Sequence, residues 1–152
     1  MYASPNNMYR AYQQNDILTL SPIAIIERLY QAMERSLTAA KDAMEKGQTA
    51  IKGEKIGHAL AIIGELQASL DMEKGGEIAE NLYDLYSFAT HRLLMANVKN
   101  DSSMIDEVIN AMRPLSEAWT RLRQEKHGEG SAKFSATPDE NHKEPVRAAA
   151  GY

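Results

Sequence analysis

The chain has no cysteine, and this one absence removes disulfide staples, thiolate metal sites and cysteine nucleophiles together. It also lacks an excess of basic charge. The formal net charge is -4, so there is no positive field of the kind that attracts phosphate backbones, and nucleic acid is not an expected partner. Nowhere do about 18 apolar residues follow one another, which argues against membrane insertion. The opening run MYASPNNMYRAYQQND contains no apolar stretch of signal-peptide length. The expectation is a cytoplasmic protein.

Catalytic and cofactor signatures are equally sparse. Helical bundles often house paired metals on Glu-x-x-His motifs, but no Glu-x-x-His occurs in the sequence. His58 and His91 are the only histidines in helical stretches, and they stand apart. Gly75-Gly76 is followed by Glu77, whose charge repels phosphate from a helix start. No nucleophile is grouped with a base. The reading is therefore a protein that is not an enzyme, with no catalytic residue, metal or cofactor.

What the sequence does contain is apolar residues at helical spacing. Ser21-Pro22 suits a helix start, after which Ile26, Tyr30, Met33, Leu37, Ala40 and Met44 recur until Gly47. A second helix over about 50–70 carries Ile56, Leu60, Ile63, Gln67 and Leu70, with Leu66 beside them, although Gly53, Gly57 and Gly64 each cost it about 1 kcal/mol against Ala. The run DMEKGG reads as a turn, and Ile78, Leu82, Leu85, Ala89, Leu93 and Ala96 form the third stripe. Asp101-Ser102-Ser103 starts a fourth helix, where Ser103 and Asp106 match a capping box. Its stripe is Ile105, Val108, Met112, Leu115, Trp119 and Leu122, and Pro114 predicts a bend.

Short connections between four helices require antiparallel neighbours. The expected fold is all-α, an antiparallel four-helix bundle over 19–125. Residues 1–18 are polar, with Tyr2, Tyr9 and Tyr12, and read as a short N-terminal arm or cap. Residues 126–152 turn to Gly, Ser, Glu, Lys and Pro with few large apolar groups, the composition of a disordered tail.

Two helices carry a second row. Ile25, Leu29, Ala32, Ser36, Ala39 and Ala43 lie beside the first core stripe, and Gly57, Ala61, Gly64 and Ala68 repeat on the second helix. Such rows have two readings. A helix touching two neighbours needs a wide apolar face; alternatively, small side chains floor an open groove that receives a partner segment. Tyr83 and Leu94 fall far round from the middle of the third stripe and are expected to be partly exposed.

Beyond pattern, the run LDMEKGGEIAENLYDLY (70–86) is followed by Arg92-Leu93-Leu94, Ala96-Asn97, Asn100-Asp101 and Glu117-Ala118-Trp119. With the Ser21-Pro22 start, Leu29-Tyr30 and Ala11-Tyr12, this resembles the FliS family of flagellar secretion chaperones over residues 1 to about 124. The resemblance implies a cytosolic export chaperone. It would cover the disordered C-terminal segment of flagellin, prevent premature polymerisation and present the cargo to the gate of the flagellar type III secretion apparatus. It further implies a cargo surface formed by Ile25 and Leu29, by Gly57, Leu60, Ala61, Ile63 and Gly64, and by Tyr83 and Tyr86. Tyr9 and Tyr12 would be a displaceable cap. The competing reading is a structural or self-associating helical module, and an open groove also offers a homodimer when no cargo is bound.

Overall fold

Proline is tolerated in the first turn of a helix, where its missing N–H has no intrahelical partner to lose, and Pro22 opens α1 (Pro22–Glu45). The computed structural model describes residues 22–132. Three more helices follow: α2 (Thr49–Ala68), α3 (Met72–Lys99) and α4 (Ser102–Ala132), with no strand among the described residues. The fold is the all-α, four-helix bundle that the stripes predict. Each helix packs on two neighbours, α1 and α3 both lying between α2 and α4.

Helix ends follow from local chemistry. Gly47, at φ +67°, ends α1; Gln48 N–H donates to Ala43 C=O at 2.8 Å and Gly47 N–H to Met44 C=O at 3.2 Å, the paired bonds of a Schellman stop. Asn100 does the same for α3 at φ 53°, a left-handed geometry that Asn tolerates. Two of the sequence expectations change here. The DMEKGG stretch is a helical turn, because Asp71 caps it by accepting from Glu73 N–H at 3.1 Å and Lys74 N–H at 3.0 Å. Only Gly76 leaves helical geometry, at φ 52° and ψ -132°, which kinks α3. At α4 the cap is Asp101, which accepts from the backbone N–H of Ser103 at 2.9 Å, so Ser103 already lies inside the helix.

Buried faces repeat every three or four residues, and on α3 the seam is Ala79, Leu82, Tyr86, Ala89, Leu93 and Ala96. Ile78, assigned to that stripe from sequence, is 52% exposed. It stands one position outside a seam that begins with Ala79. On α2 the face is Lys52, Ile56, Ala59, Ile62, Ile63 and Leu66, rotated from the predicted line through Leu60 and Gln67, both half-buried. Each large side chain fully buried here contributes roughly 2 kcal/mol.

Charges set the pairing of α1 with α4. Arg123 Nε donates to both carboxylate oxygens of Glu27, at 2.9 and 2.8 Å, Arg113 pairs with Glu34 at 3.3 Å, and Lys41 pairs with Asp106. These partners descend one helix as they ascend the other, which fixes the antiparallel register. The ladder continues past Pro114, and α4 runs unbroken to Ala132. It therefore overruns the expected boundary at 125, since extending a formed helix costs far less than starting one. Residues 1–21, including Ser21 and the expected cap, and residues 133–152 lie outside the described residues.

Candidate functional site

The residues singled out from sequence fall into two groups. Ile25, Leu29, Ala32, Ser36 and Ala43 of α1 are all buried, leaving only Ala39 half-buried. This row is an interior contact with α2, the first of its two readings. His58 Nδ1 and Ser36 Oγ, 2.6 Å apart, tie the two helices along it. Ile63 at 0% and Tyr86 at 2% exposure are also core, and the Tyr86 hydroxyl meets that of Tyr30.

The second group faces outward. At about 100° per residue, Gly57, Ala61, Gly64 and Ala68 lie roughly opposite the buried Ala59, Ile62 and Leu66 on α2. They are half-buried to exposed, and a Cβ built at Gly64 meets nothing within 4 Å. Leu60 stands on the edge of the row nearest α3 and is half-buried.

Hydrogen bonds define how α3 borders this face. Gln67 Nε2 donates to Tyr83 C=O at 3.1 Å and to Ser87 Oγ at 2.9 Å. At the other end Lys52 Nζ, on a residue 7% exposed, donates to Asn97 C=O at 3.2 Å and Asn100 Oδ1 at 3.1 Å. That buried ammonium is placed against the negative end of α3, where a cation is stabilising. The resulting antiparallel register sets Tyr83 level with Ala68 and Leu94 level with Gly57.

Tyr83, Leu94 and Val98 are exposed, as expected for the first two. With the small row of α2 they form one apolar surface between α2 and α3, while Ile51, also exposed, lies on the other side of α2. Val98 and Ile51 were missed in the sequence reading, although helical spacing from Leu94 would have found Val98. Tyr9 and Tyr12 lie outside the described residues. On the far side of α3, Phe88 and Ile78 are also exposed, and Arg92 lies 5.6 Å from the Phe88 ring centre while pairing with Glu107 at 3.0 Å.

Electrostatically the surface has one unusual member. Glu65 of α2 is buried, its Oε2 accepts no hydrogen bond from any described residue, and burial raises its pKa. Among the described residues no three His, Asp or Glu side chains gather as a metal site, and no helix is long and apolar enough to cross a membrane.

Comparison with known proteins gives this surface a context. The family described as "Flagellar protein FliS" matches residues 5–126. The flagellar secretion chaperone FliS of Vibrio cholerae is 41% identical over 107 residues, covering 70% of this chain and 79% of that protein. The Salmonella typhimurium chaperone of the same name is 39% identical over 118 residues, covering 74% and 87%. The Bacillus subtilis one is 31% identical over 128 residues, covering 82% and 95%. With the four-helix bundle and these matches over most of its length, the chain belongs to the FliS family of flagellar secretion chaperones.

Proposed function

We propose that this protein is a cytoplasmic export chaperone for flagellin, holding the unstructured C-terminal segment of its cargo on the surface between α2 and α3. The observation that carries the reading is the outward row Gly57, Ala61 and Gly64, which no intramolecular neighbour fills at Gly64, flanked by exposed Tyr83 and Leu94. An amphipathic segment forming a helix as it docks lays its apolar positions on such a face. The ordering cost keeps the net affinity below what the area alone suggests. That suits a cargo which must be surrendered to the export gate of the flagellar type III secretion apparatus.

In this reading residues 1–18 cap the surface through Tyr9 and Tyr12, and the bundle carries the binding function. Isothermal titration with flagellin and with flagellin lacking its C-terminal segment tests it: the expected result is binding of the intact form only. Equal binding of both forms overturns it. The exposed apolar residues on α3 favour one alternative, a self-associating module. Sedimentation equilibrium decides between them, since a dimer that persists in saturating flagellin contradicts a shared surface.

A further inference from the structure

At the α1 edge of the proposed docking face one carboxylate oxygen is buried without a hydrogen bond. Glu65 is 7% exposed, and its Oε2 has no hydrogen-bond donor among the described residues. Its position follows from register. His58 and Glu65 are seven residues apart, hence on the same face of α2, and His58 is held against Ser36 of α1 at 2.6 Å. Seven residues back along antiparallel α1 is Leu29, itself 1% exposed. Glu65 thus has an apolar wall on one side. On the other it adjoins Ala61, Gly64 and Ala68, which extend no further than a methyl group. At Gly64 even that methyl would touch nothing within 4 Å. Oε2 itself is closed to solvent, so a partner side chain reaches it only where the groups that cover it give way.

An ionised carboxylate only accepts hydrogen bonds, and away from water a charged donor is what best offsets its lost hydration. A docked helix satisfies its own backbone amides beyond the first turn, so the donor must come from a side chain. Lysine and arginine combine a long apolar stem, which can lie along a Gly/Ala floor, with a cationic head. Burial raises the Glu65 pKa, the direction that the absence of a compensating cation produces.

We infer that Oε2 of Glu65 anchors a lysine or arginine side chain of the segment docked on the outward face of α2. The inference rests on the flagellin reading above and adds a polar specificity contact to an otherwise apolar surface.

The test is a double-mutant cycle by isothermal titration on the full chain. Glu65→Gln is paired with a set of flagellin C-terminal segments in which each Lys or Arg is changed singly to Gln. Glu65→Gln is expected to weaken binding by about tenfold or more. One segment variant should lose a similar factor, and the combination should lose little beyond either alone. Unchanged binding by Glu65→Gln overturns the inference while leaving the flagellin reading standing. Weakened binding that couples to no cation of the segment overturns the cationic partner. No binding by the unaltered chain overturns the flagellin reading and this inference with it. Circular dichroism of Glu65→Gln, with Glu65→Met beside it, establishes that any loss is not unfolding.

Discussion

The phenol oxygens of Tyr30 and Tyr86 lie 2.5 Å apart in the middle of the bundle, joining α1 and α3, the helices that do not sit side by side. The Trp119 ring of α4 completes the cluster, 6.4 Å from Tyr30 centre to centre and tilted by 42°. Tyr30 thus ties together three helices, through its bond to Tyr86 on α3 and its contact with Trp119 on α4. Replacing either tyrosine with Phe should cost about 1 kcal/mol. The double replacement should cost less than the sum, because the Tyr30–Tyr86 bond can be lost only once. Urea unfolding of the four proteins measures that coupling, and strict additivity would contradict it.

Burial raises the Tyr30 pKa from 10.0 to about 12, opposed by its hydrogen bonds to Tyr86 and Trp119. The unfolded chain therefore releases this proton near pH 10 while the folded one retains it. Stability from this group is complete below pH 10 and declines as pH rises toward 12, by up to about 1.4 kcal/mol per pH unit. Tyr30→Phe has no such proton, so the stability gap between wild type and variant should narrow over that window. Unfolding midpoints at pH 8, 10 and 11 supply the check, and a constant gap would exclude the linkage.

Leu29, at 1% exposure, is a core residue whatever it contributes to a partner. Leu29→Asp leaves an unpaired charge in an apolar contact and should cost at least 3 to 5 kcal/mol, roughly the loss on creating a large core defect. Loss of the far-ultraviolet helical signal or a steep fall in Tm is the expected readout. Tyr83→Asp, at an exposed position, should leave the helical signal intact and weaken flagellin capture.

Gly64 separates folding from binding more cleanly. Its Cβ direction is open, and Gly is about 1 kcal/mol worse than Ala inside a helix. Gly64→Ala should therefore raise the urea midpoint. Gly64→Leu should fold as well as wild type yet lose flagellin binding, because its side chain fills the groove. Titration of both variants against flagellin checks this, and full binding by Gly64→Leu would move the site elsewhere.

The helices and their pairing were legible from spacing, because a four-stripe pattern with short connections has few antiparallel solutions. The phase of the α2 stripe was not, and the α3 line departs from expectation at Ile78 and Leu85, where Ala79 and Tyr86 are the buried residues. On α2 the buried line includes Lys52, a residue whose composition argues for solvent and whose burial depends on a cap on α3. On α3 it includes Tyr86, whose hydroxyl needs a partner 56 residues away in sequence. Both are long-range bonds that no local pattern encodes. The same limit applies to the site. Small residues on α1 and on α2 look alike in sequence, yet the first row is mostly buried and the second is half-buried to exposed. Glu65 carried no local signal at all, since its distinguishing property is a missing partner.

The connections between the helices are 46–48, 69–71 and 100–101, and two of the three reversals are locked by left-handed residues, Gly47 and Asn100. Spans this short leave little slack for the helices to part. If the bundle binds cargo as proposed, it does so as a nearly fixed template, and the guest chain supplies most of the conformational adjustment. Most of the entropy lost at binding then belongs to the guest and returns to it on release. Under the proposed function, a secretion apparatus that pulls the guest away in extended form would work with that gradient, leaving a template that needs no refolding.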